Sequence, residues 1–168
     1  MPNNREKDFG LLISTVLPGF VSLLGFADYS ETLRHWIGQT GGEAPSVGGF
    51  LLLTVASVFA GLTIGTIRWV SIDRIHDRMG IRQPGWNFGN LKNREQAFGV
   101  MIDIHYRYYQ FYSNSIIAIP IFLAGRWNSY GFSLIELLFG SLAIALFFAG
   151  SRDTLRKYYD RVDLLLAS

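Results

Sequence analysis

The sequence predicts an all-α, polytopic membrane protein of four transmembrane helices, N-in and C-in, with helices 2–4 extended into a cytosolic helical bundle. Three observations carry that prediction. Apolar stretches at about 9–27, 47–69, 108–126 and 132–150 divide the chain, each long enough, or nearly so, to cross a hydrocarbon layer of about 30 Å as a helix. Of the 168 residues 49% are hydrophobic and only 17% charged, against roughly 25% charged in a soluble domain. Finally, thirteen of the fifteen Lys and Arg residues lie in the N-terminal tail, in 68–107 and in the C-terminal tail, leaving only Arg34 and Arg126 elsewhere. Cytoplasmic loops retain Lys and Arg, so both termini and the central segment are read as cytoplasmic, in a plasma or inner membrane.

The first helix has Pro18-Gly19 at its centre, where a missing backbone donor is expected to kink it. No small-residue cleavage site follows, so it is read as a retained helix rather than a secretory signal. The loop 28–49 has a short amphipathic stretch at 29–37 and a turn through Gly41, Gly42 and Pro45. The second helix keeps helical spacing past Arg68-Trp69 through Ile72, Ile75 and Met79, and Gly80 is its expected stop. Turn signals at Pro84-Gly85 and Gly89-Asn90 mark a loop. Asn93 caps the next helix with Gln96 at the capping-box position. Its stripe of Ala97, Met101, Ile104, Tyr108 and Phe111 runs into the third span, which Pro120 alone interrupts. Beyond the fourth span, Leu155, Tyr158, Tyr159, Val162, Leu165 and Leu166 form an apolar face on the tail. The cytosolic part is thus 70–107 with 151–168, and 1–168 is a single domain.

Composition narrows the chemistry. Cysteine is absent, which excludes disulfides, thiolate metal sites and a Cys nucleophile. A net charge of +2 is no footprint for duplex nucleic acid. There is no P-loop, no G-x-S-x-G elbow and no H-E-x-x-H pattern. Neither a cofactor nor a resident metal is expected, and the protein is not read as an enzyme.

Several residues stand out. Thr54, Ser57, Gly61 and Gly65 share one face of the second helix, and Ser141, Ala145 and Ala149 form a small-residue ridge on the fourth. Such ridges allow close helix approach within the chain, or between copies around a pore. Glu136 is the acid well inside an apolar run; it is either a ring carboxylate that favours cations in an oligomer or the partner of Arg126. Asn114 is placed to bond across helices or to line a polar path. At the cytosolic end, Arg74, Arg78, Arg82, Lys92, Arg94 and Arg107 could bind an anionic ligand or inner-leaflet headgroups. Asp73 and Asp77 with these arginines also fit ion pairing between helices. The aromatic run containing His105, Arg107 and Tyr108 reads as an interfacial belt, or as rings that stack a nucleobase.

The segments RWVSIDRIHDRMG (68–80) and HYRYYQFYSN (105–114) give this layout a resemblance to small four-helix bacterial membrane effectors of anti-phage defence, ion channels such as the membrane subunit of the Hailong system. That resemblance implies a channel held shut by a cytosolic protein or nucleotide. Three functions follow for comparison with the structure. The first is an oligomeric gated ion channel, a homo-oligomer in the lipid bilayer. The second is a non-conducting anchor or accessory subunit that recruits a cytosolic partner. The third is a membrane metalloenzyme using Asp73, His76, Asp77, Asp103 and His105.

Overall fold

In the computed structural model, residues 10–41, 47–91 and 94–167 are described, and among them there are helices and turns but no strand. Seven α-helices follow one another: α1 (Leu12–Ala27), α2 (Glu31–Gly41), α3 (Val47–Val70), α4 (Ile72–Arg78), α5 (Glu95–Met101), α6 (Arg107–Tyr130) and α7 (Leu134–Ala167). The expected cap Asn93, together with Lys92, Gly42 and Pro45, lies outside the described residues.

Two of the helical runs contain a π segment that the sequence did not imply. The first turn of α1, Leu12–Val16, is π-helical, and regular α-geometry begins at Leu17 with Pro18 just inside it. The change of hydrogen-bond register therefore falls immediately before the residue that lacks an N–H. A second π segment, Ile102–Tyr106, joins α5 to α6, so the long helix read from 94 onward is not uniform. One inserted residue rotates α5 by about 100° relative to α6. By contrast, α3 and α4 are nearly one rod, interrupted only at Ser71, whose hydroxyl donates to the Ile67 carbonyl at 2.6 Å. Gly80, at φ 85°, terminates that rod as expected, and Gly131, also at φ 85°, terminates α6. Pro120 lies inside α6 without ending it.

Helix α1 lies between α3 and α6, and α7 packs on α6. Glycines set the first two crossings. A Cβ on Gly19 would overlap the Ser57 carbonyl, and one on Gly61 would overlap the Thr15 carbonyl. At the α1–α6 crossing, a Cβ on Gly25 would lie 2.5 Å from the Ile121 carbonyl oxygen. Backbone thus meets backbone at both contacts.

Among the described residues, two helices are long and apolar enough to cross a membrane: the α3–α4 rod, Val47–Arg78, and α7. A core helix of a soluble domain would be mostly buried, whereas the most apolar windows of these two are only 22% and 11% buried. Phe50, Val55, Phe59 and Leu62 on α3, and Leu134, Ile135, Leu138 and Phe139 on α7, are exposed. Helix α1 is a shorter apolar helix, and α6 has the length of a span but begins with the polar run Arg107–Ser115.

Candidate ligand site at the charged end

Where α3 passes into α4, Arg68 is buried, 7% exposed. Its guanidinium lies 5.2 Å from the centre of the Tyr109 ring, and its Nη1 is 3.8 Å from Asp73 Oδ1. That is near enough for charge attraction and too far for a hydrogen bond. Tyr109 completes the set by donating its hydroxyl to Asp73 Oδ1 at 2.5 Å. Three helices, α3, α4 and α6, therefore meet at one cation–carboxylate–phenol unit. Arg68 Nε and Nη1 have no hydrogen-bond acceptor there.

One turn further, His76 is fully buried, stacks on Phe148 at 5.2 Å and places Nε2 3.0 Å from Ser151 Oγ. The Ser151 hydroxyl donates to the Phe148 carbonyl at 2.9 Å, so His76 donates from Nε2 and its Nδ1 is a buried acceptor without a donor. His105 makes the opposite choice. Arg161 Nη1 donates to its Nε2 at 2.7 Å, which requires a neutral ring protonated at Nδ1. Burial lowers the His105 pKa, Arg161 and Lys157 lower it further, and Asp153 opposes them.

Next to this layer is a groove of about 640 Å³, within the size range of small-molecule sites. Trp86, Tyr106, Tyr158 and Tyr159 wall it, and Arg82 and Arg107 line it together with Asp73 and Asp77. Trp86 holds the wall together by edge contacts to Tyr158 at 5.8 Å, Tyr159 at 5.7 Å and Phe88 at 5.9 Å. Beneath it, Tyr158, Val162 and Leu166 form a buried cluster against Phe98 and Ile102.

The ligand-binding candidates divide accordingly. Arg82 and Arg107 line the groove; Arg82 Nε also pairs with Asp77 at 3.0 Å. Arg74 and Arg78 are exposed and are not part of its lining. His105 is turned toward Arg161. Tyr108, half exposed, lines a separate hollow of about 250 Å³ with Arg107 and Asp103.

The pore candidates divide as well. Ser57 and Gly61 lie inside the α1–α3 crossing, while Gly65 has no atom within 4 Å of where a Cβ would stand. Asn114 is buried and its Nδ2 donates to the Ser14 carbonyl at 2.8 Å. Ser141 is exposed on α7. Glu136 accepts from Arg126 Nε at 2.5 Å and from Trp127 Nε1 at 3.1 Å. Among the described residues, no three His, Cys, Asp or Glu side chains gather as a metal-holding group.

Sequence reasoning did not single out Arg68, Trp86, Tyr158 or Tyr159 as site residues, and it read Tyr109 only as a member of the aromatic run 105–112. The one available signal was Trp86 between two turn dipeptides, where a large ring needs a surface to cover. No family model matches this chain, and neither a curated protein nor a solved structure matches it.

Proposed function

We propose that this is a multi-pass plasma- or inner-membrane protein whose charged end is a cytoplasmic, ligand-responsive head acting on the helices in the bilayer. In this reading α1, α3, α6 and α7 are the four spans. The exposed apolar faces of α3 and α7 meet lipid or a neighbouring copy, and the retained Lys and Arg face the cytoplasm.

The observation that carries the proposal is the Arg68–Asp73–Tyr109 unit, because Asp73 and Tyr109 line the groove while Arg68 ends the apolar helix α3. A ligand that perturbs Asp73 or Tyr109 alters the electrostatic environment of a buried cation at the foot of a span. The output we propose is gated ion flow through an oligomer, since four helices of one chain leave no room for an aqueous path. Gly65, Ser141 and Glu136 are the pore candidates not buried in intrachain packing. This agrees with the resemblance to small membrane effectors of anti-phage defence.

The second reading, a non-conducting anchor for a cytosolic partner, is favoured by one observation. Glu136 is already neutralised by Arg126 and satisfied by Trp127. Reconstitution into planar bilayers separates the two. The channel reading expects a ring of several copies and a current whose cation preference falls in Glu136→Gln. A monomer that stays silent under every ligand and voltage supports the anchor.

A further inference from the structure

The groove beside Asp73 and Tyr109 has a chemical bias that identifies what it takes. Both of its carboxylates are occupied: Asp73 accepts the Tyr109 hydroxyl and faces Arg68, and Asp77 pairs with Arg82. Its cationic groups are not exhausted. Arg82 uses only Nε toward Asp77 and its side chain is 71% exposed, which leaves the terminal amino groups available. Arg107 faces Asp103 at 4.0 Å and donates Nη1 to Gln110 at 3.3 Å, but its Nε has no hydrogen-bond acceptor; nor do Trp86 Nε1 and, behind them, Arg68 Nε and Nη1. Unmet N–H donors favour a ligand that brings acceptors and negative charge.

An aromatic box could instead hold an organic cation; against that, each carboxylate already faces an arginine through one oxygen, Asp73 with Arg68 and Asp77 with Arg82. The ring wall favours a flat π-system, since stacking on aromatic side chains is tolerant of base identity. We propose that this groove binds a nucleotide, with the base against Trp86, Tyr106 and Tyr158 and the phosphate on Arg82 and Arg107. This assignment rests on the charged end being a ligand-responsive head.

Calorimetric titration of the purified full-length protein in detergent with AMP, ATP, GMP and GTP tests it. At least one of these should bind. Arg82→Gln and Arg107→Gln should each weaken it by about tenfold or more, with Arg74→Gln unchanged. Glycerol phosphate and pyrophosphate, which carry phosphate without a base, should bind at least about tenfold more weakly than the nucleotide. Because Arg82 is exposed, Arg82→Gln keeps the test informative if Arg107→Gln fails to fold. Absence of nucleotide binding at about 1 mM overturns the assignment. Unchanged affinity in Arg82→Gln also overturns it, as does choline binding in place of nucleotides. Equal competition by glycerol phosphate overturns it in favour of lipid headgroup phosphates. Nucleotide binding without any bilayer current would leave this site standing and remove the gating role; current without nucleotide binding would do the reverse.

Discussion

The Tyr109 hydroxyl donates to Asp73 at 2.5 Å, joining two residues 36 apart in sequence and fastening α6 to α4 beside the buried Arg68. Removing either partner has a different cost. Tyr109→Phe deletes one donor to a charged acceptor and should destabilise the fold by about 1–3 kcal/mol. Asp73→Asn leaves Arg68 without its counter-charge and should cost more, about 3–5 kcal/mol. Thermal melting of both variants in the same detergent checks the order. If Asp73→Asn is the milder of the two, Asp73 is not the counter-ion that holds Arg68.

The helix crossings make a prediction that depends on position. Gly25→Leu forces side-chain atoms into the Ile121 and Phe122 backbone and should destabilise by about 1–3 kcal/mol or more. Gly65→Ala meets nothing within 4 Å and should stabilise by up to about 1 kcal/mol, the ordinary helical advantage of alanine. Melting temperatures moving in opposite directions would confirm which glycines are in the crossings.

His105 predicts a pH dependence of definite sign. Its folded pKa lies below the ordinary histidine value of 6.5, so the unfolded chain binds the proton more readily. Stability from this residue is present above about pH 6.5 and is lost as pH falls through the folded value. Protonation also turns the Nε2 that accepts from Arg161 into a donor facing a cation. A melting-temperature profile from neutral to mildly acidic pH should therefore fall, and His105→Asn should make it shallower, the buried His76, whose pKa burial also lowers, supplying the rest. An unchanged slope in the variant would assign the acid sensitivity to other groups.

Much of this architecture was legible in the residues. The tail stripe predicted a buried face, and Leu155, Tyr158, Val162 and Leu166 are buried. Gly80 was read as a stop and adopts positive φ. The Arg126–Glu136 pair was one of two readings, and it forms. Of the small-residue face Thr54, Ser57, Gly61 and Gly65, the crossing with α1 uses Ser57 and Gly61 against Gly19, and Gly65 stands outside it. A small-residue ridge shows that a helix can be approached closely, but its register against the partner is a three-dimensional property. The π segments were invisible for a similar reason, since one inserted residue barely disturbs an apolar stripe. The aromatic groove was missed because its wall comes from an irregular loop, from Tyr106 before α6 and from the far end of α7.

The proposed function depends on the charged end lying in the cytoplasm with the helices crossing the bilayer. Native cysteine is absent, so single-cysteine variants report position directly with a membrane-impermeant maleimide on intact cells. Ser129→Cys, exposed at the end of α6 remote from the groove, should label at once. Arg78→Cys and Arg156→Cys, exposed beside the groove layer, should label only after the membrane is opened. Immediate labelling of Arg78→Cys and Arg156→Cys, or equal labelling of all three, would contradict the proposed topology and the cytoplasmic ligand site with it.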